Sequence, residues 1–366
     1  MNTIVRQVED GICLVIPKGR IDSVTAEDFR IGMEEALEIS QNIHLDLQDT
    51  EYISSTGLRV ILNAKKTLGN HGTITVTGAN ETIMEVMDMT GFTDMLDISG
   101  GTPDPAGVKV IFFDIDGTLL SHTQGIVPQS AKDAIHAAQK KGIKCVIATG
   151  RDLVEMAKLP VMDIGFDGYL TLNGNICLDQ DKQMFAGNEI DPGEVEILVS
   201  IFKAGRIPFV LIGEKQRYIN YVDDVVIQTQ NATHGTIPDI GEYKGEKIYQ
   251  CLAFVNAEVR QKLDDLLDQC SITSWNDTGI DIIAKTGGKA AGIQKFLDRE
   301  GLRRSEVMAF GDGENDVAMI KFAGIGVSMG NGKDVLKQAA DYVTTSVDED
   351  GIQNALVHFG LIEKPE

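Results

Sequence analysis

Two carboxylates one residue apart, Asp114 and Asp116, follow the apolar run Val110-Ile111-Phe112-Phe113 and precede Gly117 and Thr118. A run of that composition is strand material. At the carboxyl end of a parallel strand, residues i and i+2 leave on the same side. Both acids would then face the crevice where open α/β sheets bind ligands. Like charges that close repel, and hard oxygen ligands of this kind suit Mg²⁺ as the cation that holds them. Taken alone, Asp-Ile-Asp-Gly could also be only a turn after a strand, because Asp and Gly are ordinary turn residues.

Three later segments weigh against a mere turn. Val146-Ile147-Ala148-Thr149-Gly150-Arg151 is a second apolar run, ending in a hydroxyl. Lys289 lies in Thr286-Gly287-Gly288-Lys289-Ala290, at the opening of a helical pattern. Val307-Met308-Ala309-Phe310 runs into Gly311-Asp312-Gly313-Glu314-Asn315-Asp316, a third strand ending in carboxylates. A nucleotide-binding P-loop is excluded. Ile283 stands where its first glycine belongs and Ala290 where its Ser or Thr belongs, and the stretch around Gly332 and Lys333 fails likewise.

These four segments, in this order, resemble the haloacid-dehalogenase-like phosphohydrolases. More narrowly they resemble the Cof-type branch, whose cap is inserted after the Thr-Gly-Arg strand. The resemblance runs from Val108 to the C-terminus and implies a catalytic role for each motif. Asp114 would attack phosphorus and form an aspartyl-phosphate. Asp116 would protonate the leaving alcohol and then activate water. Thr118 would fix the loop carrying Asp116 on the substrate side. Thr149, with Gly150, would donate to a phosphoryl oxygen, although Thr149 could equally cap a helix over 152–158. Lys289 would supply positive charge, with Lys285 as a nearby competitor. Asp114 and Asp312 would be side-chain ligands of Mg²⁺, joined by the Asp116 backbone carbonyl, with Asp316 reaching the metal directly or supporting it. Asn315 would stand on the substrate side, and either Asn315 or Asp316 could instead be a support or an N-cap. Asn173-Gly174-Asn175 resembles the family's substrate-side loop, a plain Asn-Gly turn being the alternative.

The elements that must position these groups follow from periodicity. After a Gly- and Pro-rich linker at 99–107, strands alternate with the helical stretches Ser130 to Lys141 and Lys289 to Arg299. That alternation predicts a Rossmann-like, doubly wound parallel sheet. It lapses from 192 to 277, which has helical patterns at Gly193 to Lys203 and Ala257 to Cys270. Strand-like runs lie at Pro208 to Ile212 and Tyr249 to Val255. This span reads as an inserted α+β cap, between core segments 108–191 and 278–366.

Before the linker, Ile12 to Ile16, Ile43 to Leu47 and Gly72 to Val76 read as strands. Ala26 to Ile39, Gly57 to Leu68 and Thr82 to Met89 read as helices. The run from Leu45 to Arg59, with Gly19-Arg20-Ile21-Asp22 and Thr90-Gly91-Phe92, resembles the STAS modules of the anti-sigma-factor antagonist family. A small α/β domain over 1–98 is expected. In that family a Ser of the Asp-Ser-Ser/Thr-Gly-Leu loop accepts phosphate from a partner kinase. Ser55 takes the acceptor position here, while Ser54 replaces the usual Asp. Hydroxyls there could equally cap the helix.

The 366 residues carry 55 acidic against 33 basic side chains, a net charge of −22, with acid in excess on both sides of the linker. That balance argues against nucleic acid or an anionic membrane as partner. Five scattered cysteines, without a Cys-x-x-Cys pair, read as buried small hydrophobes in a reducing compartment. The opening residues lack the apolar core of a signal peptide and no apolar run approaches a membrane span, so a cytoplasmic protein is expected. The expected function is a Mg²⁺-dependent phosphatase for a small phosphorylated metabolite, such as a sugar phosphate or phosphorylated cofactor. Its STAS module would regulate it or dock a STAS-binding protein or kinase. The alternatives are a STAS signalling adaptor whose phosphatase-like half is regulatory or acts on a phosphoprotein, and a phosphomutase.

Overall fold

The computed structural model describes residues 2–7, 12–69, 72–92, 95–98, 105–232, 235–274 and 278–364. The chain divides into two compact units, Met1–Asp104 and Pro105–Glu366. Most of the expected linker, 99–104, lies outside the described residues.

In the first unit, strands β1 (Asn2–Gln7), β2 (Ile12–Ile21), β3 (Asn42–Asp46), β4 (Thr50–Ile53), β5 (Thr73–Thr77) and β6 (Asp97–Ile98) form one sheet. The order is β1-β2-β3-β5-β6, with β4 also on β2; only the β1–β2 pair is antiparallel. β2 outruns its expected end at Ile16, because a register shift at Gly19 lets the strand continue beside β4. Helices Ala26–Ile39, Ser55–Leu68 and Glu81–Met89 complete the unit. Phe29, Met33, Leu45, Ile61 and Val76 sit in its core.

The second unit opens with β7 (Val110–Phe113), β8 (Lys144–Ala148), β9 (Gly168–Thr171), β10 (Ile176–Asp179) and β11 (Met184–Gly187). The chain then enters the cap, whose strands are β12 (Phe209–Ile212), β13 (Arg217–Ile219), β14 (Gln250–Phe254), β15 (Cys270–Ser274) and β16 (Gly279–Ala284). It returns as β17 (Val307–Gly311), β18 (Ile325–Ser328) and β19 (Tyr342–Val343). The core sheet has the order β11-β10-β9-β8-β7-β17-β18-β19, parallel except for the β9-β10-β11 hairpins.

β7 is buried on both faces, as a central parallel strand must be. Ile111 and Phe113 join one apolar cluster with Met308, Phe310, Cys145 and Ile147. Val110 and Phe112 join the opposite one with Val307, Ala309, Val146 and Ala148. The two-residue period thus divides three neighbouring strands between two cores, and their carboxyl ends are left to carry the polar groups.

The cap sheet, ordered β13-β12-β14-β16-β15, is antiparallel throughout. It extends to Ala284, past the expected end at Asp277, because β16 pairs with both β14 and β15. The helix expected over 257–270 is shorter, Ala257–Asp264, since Cys270 already begins β15. Alternation again sorts the side chains: Cys251, Ala253, Ile280 and Ile282 pack into the cap core. Gln250, Leu252 and Asp281, on intervening positions, line the cavity described below.

Candidate active site

Asp114 leaves β7 with its N–H donated to Phe310 O of the neighbouring strand, at 3.0 Å. The next residues turn sharply, and Gly117 has φ +72°. A Cβ at Gly117 would stand 2.2 Å from Asp312 Oδ2, so this glycine lets the two acidic loops close on each other. Carboxylate oxygens of Asp114, Asp312 and Asp316 lie within 4.8 Å of one another.

Lys289 is the internal cation of this cluster. Its Nζ donates to Asp114 Oδ1 at 2.6 Å and to Asp316 Oδ1 at 2.5 Å, and its side chain has no exposure. Lys285, the competitor, is exposed and turned away, with its Nζ 3.4 Å from Asp268 O. The other oxygen of Asp316 accepts from the backbone N–H groups of Asp312 (3.0 Å) and Gly313 (2.9 Å). Asp316 thus shapes the β17 loop, and neither it nor Asn315 makes a side-chain N-cap bond to the helix Val317–Phe322.

Burial pushes the Asp114 carboxyl well above the usual range, and the Asp316, Asp312 and Asp116 charges add to this against the pull of Lys289. Asp312 is pushed up to about 7, by burial first and then by Asp316. Burial works against the Lys289 ammonium, but Asp114 and Asp316 outweigh it and the pKa is raised. Three clustered carboxylates with one lysine between them leave unbalanced negative charge, and their oxygens are the hard donors that Mg²⁺ takes. The residues present therefore fit that ion.

Asp116 is placed differently. Its carboxylate receives a two-pronged ion pair from Arg151, with Nε at 2.7 Å from Oδ2 and Nη2 at 2.8 Å from Oδ1. Thr149 is buried and its hydroxyl accepts from Arg151 N at 3.2 Å. It caps no helix: the following helix is only Leu153–Met156, and Asp152 caps it by accepting from Glu155 N at 2.8 Å.

Three residues expected on the substrate side stand behind the wall of the cavity. Thr118 is buried and donates to Asp312 Oδ1 at 3.3 Å, which aims it at the acidic loop. Gly174 has φ +81°, and a Cβ there would be 2.6 Å from Gly288 O, so it admits the start of the Lys289 helix. Asn173, also at positive φ (54°), is turned toward the cap. Its Nδ2 lies 2.8 Å from Asp281 Oδ2, and its Oδ1 accepts from Asn315 Nδ2 at 3.3 Å. The Asn-Gly segment is thus the turn of the β9–β10 hairpin, closed by Gly174 N donating to Thr171 O at 3.0 Å, and the same turn packs against the cap and the start of the Lys289 helix.

A cavity of about 410 Å³ lies between the core strand ends and the cap. Asp114, Asp116, Thr149, Gly150, Asp312 and Asn315 line its core side. Arg217, Gln250, Leu252 and Asp281 line its cap side. Arg151 and these cap residues were not picked out as site residues by the sequence reading. Gln250 and Asp281 could have been noticed as polar interruptions of the runs Tyr249-Gln250-Cys251-Leu252 and Ile280-Asp281-Ile282. Arg217 carries no such signal. All five cysteines are free and buried. No helix among the described residues is long and apolar enough to cross a membrane.

In the first unit, Ser54 and not Ser55 caps the helix Ser55–Leu68, by accepting from Gly57 N at 3.4 Å. Ser55 is exposed in the first turn.

A doubly wound sheet with acids at adjacent strand ends, a buried lysine and an inserted cap over the cavity defines a cap-bearing phosphatase fold. Residues 111–356 match the haloacid dehalogenase-like hydrolase family, and residues 3–102 match the STAS domain. The chain belongs to the haloacid dehalogenase-like hydrolases, in a Cof-type form fused to an N-terminal STAS domain, and is a phosphatase. YkrA of Bacillus subtilis, named as a phosphatase, is 31% identical over 70% of this chain and 99% of its own. The 5-amino-6-(5-phospho-D-ribitylamino)uracil phosphatase YcsE of the same organism is 29% identical over 69% of this chain and 96% of its own. A solved subclass IIB sugar phosphatase of the superfamily is 32% identical, with a TM-score of 0.64, over 70% of this chain and all of its own.

Proposed function

We propose that this phosphatase hydrolyses a small phosphorylated metabolite, with Mg²⁺, through an aspartyl-phosphate on Asp114. The observation that carries the reading is the convergence of Asp114, Asp312 and Asp316 around buried Lys289, with Asp114 and Asp312 lining the cavity between core and cap. A volume of about 410 Å³ suits a metabolite-sized ligand. Asp114 and Asp312, with the Asp116 carbonyl, would hold the metal, and Asp316 supports them. When bound, Mg²⁺ neutralises charge on the phosphoryl oxygens.

The chain's own residues supply the rest. An Asp114 oxygen bonds to phosphorus as the ester P–O bond breaks, and Asp116, after giving up one of its two Arg151 contacts and taking a proton from solvent, passes that proton to the departing alkoxide oxygen. Asp116 then takes a proton from water, whose oxygen bonds to phosphorus. The Asp114–phosphorus bond breaks and inorganic phosphate leaves. Lys289 and the Thr149 hydroxyl offset charge on the transferring group. Arg151 holds Asp116 oriented at the cavity wall.

The relatives act on small esters by name, a sugar phosphate in one and a phosphoribitylamino-uracil in another. Both support a metabolite over a phosphoprotein. The STAS domain is assigned to regulation or partner docking, with exposed Ser55 as its phosphate acceptor.

The test is inorganic phosphate release from a panel of small esters and a phosphopeptide, with and without Mg²⁺, for wild type and Asp114→Asn. Metal-dependent release from small esters, abolished in the variant, is expected. Release that survives Asp114→Asn, or that favours the phosphopeptide, overturns the reading.

A further inference from the structure

Arg217 stands on cap strand β13 but pairs with the core. Its Nη1 lies 2.8 Å from Asp152 Oδ2 and 3.0 Å from Glu155 Oε1. Asp152 is the N-cap, and Glu155 a member, of the short helix Leu153–Met156 that follows Arg151. Arg217 Nη2 donates to Thr236 O at 2.6 Å, and Thr236 N donates to Glu155 Oε1 at 3.1 Å. The Arg217, Asp152 and Glu155 side chains are 9%, 11% and 14% exposed, so water screens their charges little.

Glu155 acts on a second guanidinium. Burial works against the Arg151 charge, and Asp116, Glu155 and Asp114, in that order, more than offset it. Asp114 already has Lys289 as its partner. Among the described residues of this wall of the cavity, Arg151 and Arg217 therefore serve three carboxylates, Asp116, Asp152 and Glu155. Arg151 takes Asp116 with both prongs, and Arg217 takes the other two. Without Arg217, a poorly solvated Glu155 would lose its partner, which is costly, and would compete with Asp116 for Arg151. Asp152 competes less, because its Oδ1 stays bonded to Glu155 N.

We propose that Arg217 is a positioning residue: by neutralising Glu155 and Asp152 from the cap, it leaves Arg151 to Asp116 and keeps the general acid aligned. This rests on the phosphatase reading and deepens it, because the acid step then depends on a cap side chain that need not touch the substrate. Attack by Asp114 keeps its own supports, Lys289 and Thr149. Loss of Arg217 should therefore fall on the proton given to the leaving group.

The experiment measures kcat/KM, which covers the steps up to departure of the leaving group, on phenyl phosphate and p-nitrophenyl phosphate. Nitrophenolate leaves readily without a proton, whereas phenolate depends more on the acid. Arg217→Met is expected to lower kcat/KM by at least about tenfold on phenyl phosphate and by no more than about threefold on p-nitrophenyl phosphate, within what a positioned acid contributes. Adding Glu155→Gln removes the competing charge and should bring phenyl phosphate back to within about threefold of wild type. A merely structural role predicts the reverse, since the second change weakens one more contact between cap and core. Arg217→Lys keeps the charge and should lose less than Arg217→Met, and Arg217→Gln serves if Arg217→Met does not fold. Full activity of Arg217→Met on phenyl phosphate overturns the proposal, as do equal losses on the two esters. A double variant no better than Arg217→Met, or Arg217→Lys as impaired as Arg217→Met, overturns it too. In each of those cases hydrolysis by wild type leaves the phosphatase reading standing. If wild type hydrolyses neither ester, the phosphatase reading itself fails and the role of Arg217 falls with it.

Discussion

Replacing Lys289 with Met keeps the length and apolar stem of the side chain and deletes its charge. The ammonium is the shared partner of two carboxylates, Asp114 with 8% side-chain exposure and Asp316 with none. Breaking a buried pair by removing one partner costs about 3–5 kcal/mol. Asp316 retains two backbone N–H donors, so most of the loss falls on Asp114. Asp114 can limit that loss by taking a proton, because burial already holds its pKa well above the usual range. The sign follows directly. A folded-state pKa raised above the unfolded value gives stability that is complete below the unfolded pKa and fades as pH rises through the folded one. Removing Lys289 raises that pKa further, so the variant's deficit should grow with pH, by at most about 1.4 kcal/mol per pH unit for one proton. Guanidinium denaturation in the presence of a chelator, followed by circular dichroism at pH 5.5 and pH 8, measures this. A deficit under about 1 kcal/mol at both pH values would mean that Lys289 is solvated and not shared by the two carboxylates. A large deficit that does not change with pH would mean that Asp114 carries no part of it.

The same charge logic makes metal stabilisation depend on pH. With Asp312 pushed up to about 7, protons compete with Mg²⁺ below neutrality, so thermal shifts on adding Mg²⁺ should be larger at pH 8 than at pH 5.5. At a hundredfold excess over Kd the gain is about 2.7 kcal/mol, and a shift absent at both pH values would count against the metal site. Gly117→Ala puts a Cβ 2.2 Å from Asp312 Oδ2 at a φ of +72°; it should cost about 1–3 kcal/mol in denaturation and lower turnover through misplaced acids. Arg151→Lys cannot make the two-pronged contact with Asp116, so kcat should fall by about tenfold or more, with Arg151→Met no more than modestly worse. A fully active Arg151→Lys enzyme would show that only the charge matters there.

The acids at the strand ends were legible because each motif is local. An apolar run, its two-residue period and the acids at its end all lie within one short segment, as in Val110 to Asp116 and Val307 to Asp316. The parallel order of β7, β8 and β17 then brings those ends together. The rest depends on pairs distant in sequence. Lys289 bonds Asp114 across 175 positions and Asn173 meets Asp281 across 108, and no local pattern carries either contact. Residue type alone likewise left the capping roles open. Ser54, Ser55, Thr149 and Asp152 are all competent N-caps, and the backbone geometry at each helix start chose Ser54 and Asp152.

From the sequence alone came the doubly wound core, the family of the catalytic half, the STAS resemblance and the acidic strand ends. Those follow from period, composition and short-range motif. Tertiary structure alone decided that Arg151 grips Asp116, that Lys289 and not Lys285 enters the cluster, and that β16 belongs to the cap. It also decided that Gln250 and Asp281 face the cavity. Each of these depends on where a side chain lies relative to groups brought close only by folding, and charge pairing and burial act on that distance, not on separation along the chain.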